Sequence, residues 1–109
     1  MKITAKKENY EGSAYTSTRM LTAGKFDFTY GKVEVRAKLP FGEGTWPAIW
    51  MLGSNISTVS WPACGEIDIM EHWGHNHGVV QSAMHTPSSN GSTINHGAQT
   101  INDVSTAFH

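Results

Sequence analysis

The sequence predicts an all-β fold, an antiparallel sandwich or jelly roll, and two observations carry the prediction. Period-two alternation of apolar and polar residues recurs along the chain, whereas the three-to-four residue apolar spacing of a helix is scarce. The alternating stretches are separated by turn signals at Glu11-Gly12, Ala23-Gly24, Gly42 to Gly44 and Gly74 to Gly78. Many short strands punctuated in this way suit a sandwich or jelly roll.

Taken in order, the first strand candidates are residues 2–6, 15–21 and 25–30. The clearest strand is residues 32–39, KVEVRAKL, where odd positions are apolar, even ones are charged, and Pro40 with Gly42 ends the run. It should bury one face and wet the other. Shorter candidates follow at residues 47–53, 65–71 and 78–85. Residues 87–106 are rich in Ser, Asn, Gly and Thr, with Ile94, Ile101 and Val104 as anchors, and read as a long loop carrying one short strand. Two closed layers need more strands than 109 residues supply here, so the chain is expected to be the central part of a larger domain with both flanks missing.

Composition narrows the function. Eight basic against nine acidic residues give a formal charge of −1, which excludes a nucleic-acid binder working through bulk charge. No apolar run approaches the roughly 18 residues of a membrane span, and MKITAKKENY lacks the apolar core of a secretory signal, so no membrane partner is expected. Cys64 stands alone and reads as a small half-buried hydrophobe.

The chemistry concentrates in Gly65-Glu66-Ile67-Asp68-Ile69-Met70-Glu71-His72. In a regular strand Glu66 and Asp68 share a face, Ile67 and Ile69 point to the core, and Glu71 falls on the wrong side. A β-bulge around Ile69-Met70 repairs this and turns all three carboxylates the same way. Crowded acids repel, raising at least one pKa so that a carboxyl stays protonated near neutrality. A retaining glycosidase needs such a set: one carboxylate attacks the sugar carbon while a second, protonated one donates to the leaving oxygen. Asp68 between them could hydrogen-bond Glu66 and tune its charge. The bland alternative is the solvated face of an amphipathic strand. Against it, Trp46, Trp50, Trp61 and Trp73 bracket the carboxylates, and indole faces stack on pyranose rings. Trp50, inside the apolar run Ala48 to Leu52, reads as core.

GEIDIME preceded by WPAC, with GKVEVRAKLP and GTWPAIWMLG upstream and HTPSSNGSTINHG downstream, resembles glycoside hydrolase family 16, and within it the laminarinase-like endo-1,3-β-glucanases. The resemblance implies a two-sheet, concanavalin A-like jelly roll of about twice this length. It implies retaining hydrolysis of internal β-1,3-glucosidic bonds of laminarin-type glucans by double displacement. Carried over by motif, Glu66 is the nucleophile, Glu71 the general acid/base and Asp68 the assisting acid. Arg19 in YTSTRM matches an arginine that hydrogen-bonds glucose hydroxyls, Trp46 and Trp61 match cleft tryptophans, and His85 in AMHT sits near the catalytic centre with Trp73 close by. Bland readings stand beside these: a surface arginine, a satisfied core histidine, and loop packing for Trp73 and His72. The resemblance further implies no cofactor for catalysis, allows a structural calcium whose ligands lie outside these residues, and implies a secreted or periplasmic protein. The partner is a β-glucan polysaccharide, joined by a complementary chain or by self-association that completes the fold.

Two rival readings compete. His72, His75 and His77 include a His-x-His spacing suited to a metal-binding β-barrel, but Gln81 and Ser82 stand where a third, acidic ligand should follow, so no metal site is expected. A non-catalytic carbohydrate-binding β-sandwich would need the tryptophans but not the bulged trio of carboxylates; an inactive piece of a split enzyme is the further alternative.

Overall fold

A computed structural model describes residues 1–91 and 95–109. The expected anchor Ile94 lies outside the described residues. The chain divides into two compact units, Met1–Tyr30 and Gly31–His109. Every strand pairing is antiparallel, and no α-helix occurs among the described residues. Among the described residues no helix is long and apolar enough to cross a membrane.

The first unit is a hairpin of β1 (Lys6–Tyr10) and β2 (Ser13–Thr16). Glu11 and Gly12 both take positive φ, 48° and 84°, the backbone of a two-residue hairpin turn that matches strand twist. That turn fixes where the strands lie. Pairing runs outward from Tyr10 and Ser13, so the first strand sits later than the expected 2–6, and the second stops well short of residue 21. The expected strand at 25–30 does not form. Lys25 and Phe26 both donate their backbone N–H to Thr22 O, at 2.9 and 3.0 Å, closing a turn there instead.

The second unit is a four-stranded sheet in the order β3 (Ala48–Leu52), β4 (Glu66–Glu71), β5 (Val79–His85) and β6 (Asn95–Thr100). The first three fall within the expected 47–53, 65–71 and 78–85, and β6 is the strand that the long polar segment forms among its described residues. Residues 32–39 form no strand, despite the cleanest alternation in the sequence. Alternation prepares a segment for two neighbours, and this one has only partial pairing with the chain's end. Leu39 N–H donates to Val104 O at 2.8 Å, and Ala37 and His109 exchange backbone bonds at 2.8 and 3.0 Å. Val33 and Val35 are exposed.

The core is small. Ala83 and Val104 are its buried apolar residues among those described, accompanied by buried Asp68 and His72. Ile67, expected in the core, is 43% exposed and its cross-strand partner Met84 48%. Both lie on the sheet face away from the carboxylates, which this unit covers only in part. Cys64 is half-buried and free.

Candidate active site

The bulge in β4 is visible from both neighbours. On one side Ile49 pairs with Met70 and Trp50 with Asp68, so a single step on β3 spans two on β4. On the other, Asp68 pairs with Ala83 and Glu71 with Gln81, again leaving β4 one residue in excess. The extra residue falls at Ile69-Met70, where the alternation of the sequence demanded it. Because directly paired residues share a face, the rows Leu52/Glu66/His85, Trp50/Asp68/Ala83 and Ala48/Glu71/Gln81 line one side of the sheet. All three acids therefore point the same way.

Loops at the two ends of β4 bring aromatic groups to this face. The 53–65 connection carries Trp61; Gly53 N–H donates to Gly65 O at 3.2 Å at its neck, where a Cβ on Gly53 would lie 2.1 Å from Cys64 O. Trp61 Nε1–H donates to Glu66 Oε2 at 2.5 Å, and its ring packs on His85 with centroids 5.5 Å apart. At the other end, Trp46 Nε1–H donates to Glu71 Oε1 at 3.0 Å and its ring lies 5.9 Å from that of Trp73. His85 Nε2 meets Asp68 Oδ2 at 2.9 Å. Each carboxylate thus has one oxygen held by a ring N–H, while Trp46 and Trp61 stay 64% and 45% exposed, with ring surface available to a ligand.

Seven of the eight sequence-predicted site residues, Glu66, Asp68, Glu71, Trp46, Trp61, Trp73 and His85, come together here. Arg19 belongs to the first unit, on the irregular stretch after β2. Trp50 is a correction: register places it beside Asp68 on the carboxylate face. Its apolar flanks suggested core, and the long 53–65 connection hid which face it shared. The histidine cluster comes apart. His72 is fully buried with Nδ1 2.8 Å from the Val79 carbonyl, to which it donates, whereas His75 and His77 are exposed and His77 stacks on Phe41 at 4.5 Å. Among the described residues no group of three or more His, Cys, Asp or Glu is arranged to hold a metal ion.

Electrostatics single out Asp68. Its side chain is buried between Trp50 and Ala83, and that burial, with Glu66 and Glu71 on the same face, pushes its pKa from 3.8 up to about 6. The bond and charge of His85 pull the other way and are outweighed. Ionising Asp68 therefore costs more in the folded protein than in the unfolded chain. Stability held below about pH 4 is lost as the pH rises through 6. Asp68→Asn, uncharged throughout, should gain on the wild type by on the order of 2–3 kcal/mol between pH 4 and pH 7. Urea midpoints of both proteins across that range check this; a difference independent of pH would refute it.

The geometry is that of paired glutamates on a bulged strand, walled by tryptophans, and the similarities of the whole chain agree with it. The laminarinase catalytic domain from Thermotoga maritima superposes with a TM-score of 0.91 at 49% identity, over 98% of this chain and 46% of that one. A beta-glucanase from Rhodothermus marinus is 53% identical over 90 residues, covering 81% of this chain and 32% of the relative. A beta-1,3-glucan-binding protein from Penaeus monodon is 54% identical over 61 residues, 56% of this chain and 17% of the relative. The chain thus spans less than half the length of these relatives. The family model for glycosyl hydrolases family 16 matches residues 1–109 from end to end, and with the bulged carboxylate strand in place the chain belongs to that family.

Proposed function

We propose that the domain to which this chain contributes hydrolyses internal β-1,3-glucosidic bonds of laminarin-type glucans with retention of configuration. One observation carries the reading: Glu66 and Glu71 share a sheet face, each with one carboxylate oxygen fixed by an indole N–H. The second oxygen of each is then presented to the sugar. Glu66 attacks the anomeric carbon as Glu71 gives its proton to the departing glycosidic oxygen, leaving an α-glucosyl ester on Glu66. Glu71, now a base, takes a proton from water, which attacks the same carbon, breaks the ester and restores the β configuration. Asp68, buried between them and bonded to His85, keeps its proton up to about pH 6 and so tempers the negative charge that Glu66 loses and regains.

Trp46, Trp61 and Trp73 offer stacking surface for glucose rings, and Arg19 is assigned hydrogen bonds to glucose hydroxyls. The printed names of the Thermotoga, Rhodothermus and Penaeus relatives all point to β-glucan, and the near-neutral charge suits an uncharged polymer. A binding-only role would not call for three carboxylates in a bulged frame. A polymeric substrate suits a protein that works outside the cell or in the periplasm. The test is incubation with laminarin, following reducing ends and, by proton NMR, the anomer first released. New reducing ends with the β-anomer appearing first are expected; α-anomer first, or no reducing ends, would overturn the reading.

A further inference from the structure

The bulge decides whether Glu71 stands beside Glu66 or on the opposite face, yet a bulge does not enforce itself. The extra residue drops out of the ladder, and a one-residue slip would restore regular pairing while turning Glu71 away. Ile69 is the residue skipped between Ile49/Met70 and Trp50/Asp68. On β5, Ser82 is skipped between Asp68/Ala83 and Glu71/Gln81, and pairs only outward, with Gly97 of β6. The Ser82 hydroxyl donates to the Ile69 carbonyl at 2.9 Å, a side chain replacing the ladder bond that the bulge removes.

We propose that Ser82 is a positioning residue that pins the β4 bulge and thereby sets Glu71 against Glu66. The proposal rests on the functional reading above for its catalytic consequence, but the pinning itself does not. Ser82 is exposed, so Ser82→Ala removes the hydroxyl with little loss of packing. A generic loss of stability would depress all substrates alike. A misplaced acid would not: a leaving group that departs without a proton bypasses Glu71 in the first step, which kcat/KM reports.

In Ser82→Ala, kcat/KM for laminarin should fall about tenfold, while that for a nitrophenyl β-glucan oligosaccharide should change less than about twofold. Ser82→Thr, which keeps the hydroxyl, should restore the laminarin value. Independently of activity, amide exchange at Met70 and Glu71 should quicken at least about tenfold in Ser82→Ala and return in Ser82→Thr. Equal losses on the two substrates, or unchanged exchange, would overturn the proposal. Should Ser82→Ala fail to fold, Ser82→Cys carries the same reading, since a thiol is a weak donor. A wild type that exchanges as expected yet releases no reducing ends counts against the glucanase reading and leaves the pinning standing.

Discussion

Glu66→Gln should lower release of reducing ends from laminarin by about 10⁴-fold, because an amide cannot form the glucosyl ester on which double displacement depends. Glu71→Gln should lose a comparable factor on laminarin for a different reason. Its leaving oxygen departs unprotonated and its water is not activated. With a nitrophenyl glycoside the first step proceeds in Glu71→Gln, the ester on Glu66 accumulates, and azide, which needs no base, attacks it from the β face. Added azide should therefore restore turnover to Glu71→Gln, with β-glucosyl azide as product, and leave Glu66→Gln on these substrates inactive. Mass spectrometry of the protein and its products reads both outcomes. Unchanged laminarin hydrolysis in either variant would remove that residue from its role. The substitutions keep shape and the indole bonds from Trp61 and Trp46 have an amide oxygen to accept them, so the losses report chemistry rather than folding.

Gly74→Ala should destabilise the protein by about 3 kcal/mol. Gly74 donates its N–H to Thr45 O at 2.9 Å, and an added Cβ would lie 1.8 Å from Gly42 O and 2.4 Å from Thr45 Oγ1. The nearest obstacle is backbone and cannot rotate aside; the Thr45 hydroxyl is itself bonded to Gly42 O at 2.7 Å. The two loops must part for the methyl to fit, and Trp46, next to Thr45, shifts with them and loosens its hold on Glu71. Gly44 offers the contrast. It has φ +84° with open space around it, so Gly44→Ala meets only the left-handed backbone penalty, about 1 kcal/mol. Urea denaturation of the two variants checks the difference, and equal midpoints would refute the steric account.

The catalytic strand was legible because its sequence contradicts itself under regular pleating. Glu66, Asp68 and Glu71 cannot share a face without an extra residue, so the bulge could be placed at Ile69-Met70 from alternation alone. What held it was not legible: Ser82 is an ordinary polar strand residue, and its bond to Ile69 crosses to a strand whose register the sequence leaves open. Crowding of the acids told that one pKa would rise, but only packing showed that it is Asp68, the acid flanked by Trp50 and Ala83. Residues 32–39 show the opposite failure. Their alternation is genuine, yet a strand is a relation between neighbours, and here pairing is confined to Ala37 and Leu39. The hairpin at Glu11-Gly12 was legible as a turn, whereas its strand boundaries followed from symmetry about that turn.

The two indole bonds also make the site self-reporting. Tryptophan emission responds to charge and hydrogen bonding at the indole N–H, and Trp61 and Trp46 each present that N–H to a different carboxylate. A protein retaining Trp61 alone would signal the protonation and glucosylation of Glu66. One retaining Trp46 alone would signal the proton on Glu71. The two halves of the reaction cycle become separable optical channels, with no label added to the protein or the sugar.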